Sequence, residues 1–161
     1  MRDDFGVFIL THGRADNVIT YGTLKKQGYT GKVYIVINDT DPQIDEYKDR
    51  YREQVVVFSK QAAIDMTDCF ETSGVYGGVV FARNYSFTLA KELGLKYFLL
   101  LDDDYSNFAY TLNSSGIFET AQRSIGSLDR IFENVLDFFI SSPALTVCIA
   151  QSGDFVGGKS S

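Results

Sequence analysis

Tyr97-Phe98-Leu99-Leu100-Leu101-Asp102-Asp103-Asp104 is an unbroken apolar run that ends in three consecutive carboxylates. A run of this length, with a glycine ahead of it and charge behind it, reads as a strand buried on both faces of a sheet, the central strand of the fold. The carboxylates then lie at its C-terminal tip, on the edge of an open α/β sheet where ligands bind. Three like charges so close together repel unless a cation or a set of donors compensates them. Carboxylate oxygens suit Mg²⁺ or Mn²⁺, and Mg²⁺ in particular is held by one or two carboxylates together with substrate phosphates. The plainer alternative is that a strand-end Asp merely caps the next element. Three in a row directly after three leucines point instead to a metal and diphosphate site on a nucleotide-binding sheet.

Upstream of that stretch, apolar runs alternate with helical periodicity. Phe5-Gly6-Val7-Phe8-Ile9-Leu10 is a first buried strand, left by the loop Thr11-His12-Gly13-Arg14. Asp16 or Asn17 is placed to cap a helix whose Val18, Tyr21 and Leu24 share a face and which Gly28 stops. Val33-Tyr34-Ile35-Val36-Ile37 is a second strand ending at Asn38-Asp39. Asp41 and Pro42 suit the N-cap and first position of a charged helix lined by Ile44, Tyr47 and Tyr51. Val55-Val56-Val57-Phe58 is a third strand, followed by a short helix over residues 61–66. Residues 79–93 form a helix closed by Gly94, with Ala82, Ser86, Leu89, Ala90 and Leu93 toward the sheet. Strand and helix in strict alternation predict a parallel sheet with right-handed crossovers.

Downstream, residues 108–120 hold Asn113-Ser114-Ser115-Gly116 between short apolar runs, a hairpin or lid over the site. Ser127 is placed to cap an amphipathic helix carrying Leu128, Ile131, Phe132, Val135, Leu136, Phe138 and Phe139, which Pro143 ends. Leu145-Thr146-Val147-Cys148-Ile149-Ala150 reads as a last strand delivering Gln151-Ser152-Gly153-Asp154 to the ligand edge or its opposite. The final residues, 153–161, lack a closing element and read as a chain cut in mid-domain.

At 161 residues the chain suits one domain with a substantial core. Hydrophobic residues make up 45%, which excludes disordered and fibrous classes. No apolar stretch is long enough to span a membrane and the N-terminus lacks a signal-peptide pattern, so a cytoplasmic protein with no membrane partner is expected. Cys69 and Cys148 have no metal-ligand spacing and read as reduced hydrophobes. A net charge of −6 argues against broad, field-driven binding to a polyanion, without excluding a local basic groove.

Three strand ends thus present polar groups on one expected edge: Thr11-His12-Gly13-Arg14, Asn38-Asp39 and Asp102-Asp103-Asp104. This order resembles the GT-A fold of nucleotide-sugar-dependent glycosyltransferases, a Rossmann-like, mostly parallel sheet flanked by helices. Asp102-Asp103-Asp104 fits its Asp-X-Asp motif, and Ala82-Arg83-Asn84 resembles a tripeptide of many such enzymes. More narrowly, Phe8-Ile9-Leu10-Thr11-His12-Gly13-Arg14, Leu101-Asp102-Asp103-Asp104-Tyr105 and Gln151-Ser152-Gly153-Asp154-Phe155-Val156-Gly157-Gly158 look like the phage-linked TET/JBP-associated glycosyltransferases.

The resemblance implies a single GT-A-like domain over residues 1–161, with a nucleotide-binding half at 1–104 and an incomplete acceptor-side half from 105. It implies a nucleoside-diphosphate sugar as donor, Mn²⁺ or Mg²⁺ as cofactor, and hydroxymethylated pyrimidine DNA as acceptor. Carried over position by position, Thr11, His12 and Arg14 would line the nucleotide site, Asp39 would contact the base, and Arg83 the base or phosphates. Asp102 would reach the ribose or a metal-bound water, Asp103 would complete the nucleotide site, and Asp104 would ligate the metal. Asp154 is the visible candidate for a catalytic base. Each residue also has a plainer reading: His12 as a hydrogen-bonding loop residue, Arg83 as the ion-pair partner of an edge carboxylate, Asp39 as a helix-entry turn residue. Two further functions compete. One is a phosphohydrolase of the haloacid-dehalogenase type, whose Asp-X-Asp normally follows the first strand, whereas three strands precede it here. The other is a catalytically inert interaction domain that keeps the sheet.

Overall fold

The computed structural model describes residues 1–68, 78–112, 115 and 118–149. β1 (Phe5–Leu10) is buried along its whole length, because its uncharged residues face a helical layer on either side. β2 (Lys32–Asn38) and β4 (Tyr97–Asp102) pair with it in parallel, and β3 (Val55–Phe58) pairs in parallel with β2. The order is β3-β2-β1-β4, the α/β fold with a parallel sheet that the alternation predicts.

α1 (Ile19–Lys26) and α2 (Ile44–Tyr51) make the crossovers within β1-β2-β3, while α3 (Lys60–Asp65) and α4 (Gly78–Glu92) return the chain from β3 to β4. The period-2 alternation of strand side chains divides the core into two layers. Val7, Ile9, Val33, Ile35 and Ile37 pack with Leu24, Tyr47 and the buried stripe of α5 (Leu128–Ser141). Phe8, Leu10 and Val36 pack with Ala63, Phe81, Ala82, Leu89 and Ala90 on the other face. Ala82, Ser86, Leu89 and Ala90 are buried as the spacing predicts, Leu93 packs partly buried beside them, and Gly94 at φ +68° ends α4. β5 (Ala109–Leu112) and β6 (Phe118–Ser124) form the expected antiparallel hairpin beyond β4; residues 113, 114 and 116 of its predicted turn lie outside the described residues.

Several expectations are corrected. β4 is not the central strand: β1 is, and no described strand covers the outer edge of β4, so only Leu101 of it is fully buried. An apolar run reports burial by helices above and below but not position in the sheet. Residues 145–149 form no strand and pair with none of the described strands, and Leu145 is 93% exposed. Cys148 is exposed rather than core, and Cys69 lies outside the described residues. α1 starts at Ile19, and neither Asp16 nor Asn17 caps it; the amide of Thr20 instead donates to the Asp103 carbonyl at 3.1 Å. Pro42 precedes α2, whose N-cap position is Gln43; Asp41 stands two residues earlier, where its Oδ1 accepts the Gln43 amide at 2.8 Å. Ser127 holds the N-cap position of α5 without a side-chain bond. Phe138 is 61% exposed: six residues past Phe132 is about one and two-thirds turns, which carries it to the solvent side.

Candidate functional site

Because the sheet is parallel, every strand delivers its C-terminal end to one edge. Between β1 and β4 the direction of winding reverses, with β2 and β3 added on one side of β1 and β4 on the other. Such a switch point opens a crevice between the loop after β1 and the turn after β4. Here the two segments touch.

Thr11 Oγ1 donates to Asp103 Oδ2 at 2.6 Å, and Arg14 Nη1 donates to Asp103 Oδ1 at 3.3 Å. Thr11 carries a single hydroxyl hydrogen, so at its 3.0 Å contact with Tyr47 the phenol is the donor. Tyr47 also accepts the Arg14 amide at 2.9 Å. Burial, above all, pushes the Tyr47 phenol above its ordinary value and keeps it a neutral hydroxyl. The next two loop residues lean on Asp41, whose Oδ2 accepts the Gly13 amide at 2.9 Å and lies 3.1 Å from His12 Nδ1.

The three consecutive carboxylates meet three environments. Asp103 is buried and held by Thr11 and Arg14. Asp102 is half-exposed and takes Arg83 Nη2 on its two oxygens at 2.9 and 3.2 Å. Asp104 is exposed and, among the described residues, has no hydrogen-bond or ion-pair partner. Donors therefore compensate two of the three charges. Asp39 stands apart at the β2–β3 end of the edge, where its Oδ1 accepts the Lys60 amide at 2.9 Å. It borders a cavity of about 490 Å³ with Thr40, Lys60, Gln61 and Ile64. Thr11, Arg14 and Asp103 thus form one cluster, Arg83 and Asp102 a second beside it, His12 and Asp41 a third. Asp154 lies outside the described residues.

A family model described as TET-Associated Glycosyltransferase matches residues 5–161. The chain belongs to this family. No curated protein and no solved structure matches the chain. Membership makes the protein an enzyme of glycosyl transfer, with a sugar donor and an acceptor as its substrates. Among the described residues no helix is long and apolar enough to cross a membrane.

In this TET-associated glycosyltransferase no group of three or more His, Cys, Asp or Glu among the described residues is placed to hold a metal ion. Asp102 and Asp104 present carboxylate oxygens on the open edge, those of Asp102 in contact with Arg83. Sequence reasoning missed Asp41 and Tyr47 as supports of the first loop. Asp41 looks like a cap because Pro42 follows it. Tyr47 looks like one more residue of an apolar face with Ile44 and Tyr51, and the only signal in the sequence is the hydroxyl its ring carries; it is the one buried residue of α2.

Proposed function

We propose that the protein transfers a sugar from a nucleoside-diphosphate sugar to an acceptor hydroxyl with the aid of Mn²⁺ or Mg²⁺, and that the acceptor is a hydroxymethylated pyrimidine in DNA. The observation that carries this reading is the grip of Thr11 and Arg14 on Asp103, which holds the acidic tip of β4 against the first loop at the switch point. In this reading the first loop, with Thr11, His12 and Arg14, borders the nucleotide, and Asp39 with its neighbouring cavity receives the base. Asp102 and Asp104 would hold the cation. When bound, it supplies charge that offsets the growing negative charge of the leaving diphosphate.

Arg83 has a second task in this scheme. Its pair with Asp102 lies in solvent, where such pairs contribute only about 0–1 kcal/mol. A diphosphate arriving at the edge can draw the guanidinium away, freeing Asp102 oxygens as Arg83 moves to the phosphates. Asp154 is the proposed base that takes the acceptor proton. The net charge of −6 restricts DNA contact to a local surface rather than a general field.

Calorimetry and thermal shift with UDP, GDP and inorganic phosphate, each with and without Mn²⁺, test the reading. Stabilisation by a nucleoside diphosphate that needs Mn²⁺ and vanishes in Asp104→Ala is the expected result. A response to phosphate alone supports the hydrolase reading instead. No nucleotide binding at all points to an inert domain.

A further inference from the structure

The acidic turn after β4 is fixed not only by its own side chains but by a threonine far upstream. Thr20 in the first turn of α1 is fully buried, and its hydroxyl does two things at once. It donates to the Asp102 carbonyl at 2.6 Å and accepts the Tyr105 amide at 2.9 Å. Its own amide donates to the Asp103 carbonyl at 3.1 Å. Three backbone groups, from Asp102, Asp103 and Tyr105, are therefore tied to one residue, and together they bracket Asp104.

We propose that Thr20 is a positioning residue of the transfer site: it fixes the backbone of the acidic turn so that the Asp102 and Asp104 carboxylates face a common cation. The inference rests on the proposed metal-dependent function. Asp104 has no described partner to hold its direction, so its aim is set by the backbone on which it stands. Thr20 supplies that constraint on the backbone at both sides of Asp104. Asp103, anchored by Thr11 and Arg14, fixes only the middle of it.

Valine has the shape of threonine without the hydroxyl, and serine keeps the hydroxyl, so the pair separates hydrogen bonding from packing. Thr20→Val is expected to weaken Mn²⁺-dependent UDP binding about tenfold or more, measured by calorimetry, and to speed hydrogen exchange at the Tyr105 amide. Thr20→Ser is expected to restore both toward the unaltered protein. Leu24→Ala, which opens a cavity in the same helix and removes no hydrogen bond to the turn, serves as the control for lost stability. Should Thr20→Val fail to fold, Thr20→Ala compared with Thr20→Ser reads the same hydroxyl.

Unchanged Mn²⁺-dependent binding in Thr20→Val overturns the inference and leaves the proposed function standing. So does an equal loss in Leu24→Ala, which would assign the effect to stability. Absence of Mn²⁺-dependent binding in the unaltered protein overturns the proposed function, and the inference with it.

Discussion

Asp103 is 7% exposed, and a buried carboxylate is tolerable only while donors meet both its oxygens. Thr11 meets one and Arg14 the other. Thr11→Val keeps the volume and removes the shorter bond, leaving Asp103 Oδ2 short of a donor and the Tyr47 phenol without its acceptor. The expected cost is about 1–3 kcal/mol in urea unfolding. Asp104→Asn, on an exposed residue with no described partner, is expected to stay within about 0.5 kcal/mol of the unaltered protein. Removing one of three adjacent negative charges should move it, if at all, toward greater stability. An Asp104→Asn loss as large as that of Thr11→Val would contradict the assignment of Asp103 to structure and Asp104 to ligand. The sequence shows three identical side chains and cannot rank them, because Thr11 and Arg14, which distinguish Asp103, precede it by roughly ninety positions.

At the scale of an element, α1 is a short rod that holds the chain leaving β4 at both of its ends. Thr20 takes the acidic turn, while Gln27, just past the last turn, receives the base of the β5–β6 hairpin. The Gln27 amide donates to the Phe108 and Ile125 carbonyls at 2.7 and 2.9 Å and accepts the Phe108 amide at 2.7 Å. Gly28 makes that close approach possible. Its φ is +78°, and a Cβ there would stand 3.0 Å from the Gly126 carbonyl oxygen. Gly28→Ala should therefore destabilise by about 1–2 kcal/mol or more. Gly22→Ala, in the exposed middle of the same helix with open space around it, should stabilise by about 0.5–1 kcal/mol. Thermal unfolding of the two variants checks both signs. These elements were legible where apolar spacing is regular: β1, β2, β3 and α4 follow from it, and Gly28 and Gly94 mark true stops. The start of α1 was not legible. Asp16 and Asn17 are good local caps, but the Thr20 amide finds the distant Asp103 carbonyl, and local propensity yields to that tertiary bond.

Over the whole molecule, the two core layers differ in chemistry. The layer beneath α4 is built from aliphatic and phenylalanine side chains with Tyr34 and Tyr85 at its margins, while the layer shared by α1, α2 and α5 encloses the phenols of Tyr29 and Tyr47 and part of Tyr51. Legibility follows the same division. Apolar runs foretold two buried faces, yet nothing in them told which strand lies in the middle, since Tyr97-Phe98-Leu99-Leu100-Leu101 is as unbroken an apolar run as β1 and still takes the edge among the described strands. The polar groups inside the first layer were read only as hydrophobes, and they make a prediction of their own. Burial is the main cause that pushes the phenols of Tyr29, Tyr47 and Tyr51 above their ordinary value, so the folded protein holds these protons more tightly than the unfolded chain does. The stability this contributes is fully present below the unfolded pKa of about 10 and is lost as pH rises from there through the folded values. Urea midpoints should hold steady through pH 9 and fall above pH 10, in step with the ultraviolet signature of phenolate. Tyr29 has the largest upward shift, and its hydroxyl donates to the Lys32 carbonyl at 3.1 Å. Tyr29→Phe should lower stability modestly at pH 8 by removing that bond, about 0.5–1.5 kcal/mol, and flatten the alkaline fall. An alkaline fall as steep in Tyr29→Phe as in the unaltered protein would place the loss in groups other than the Tyr29 phenol.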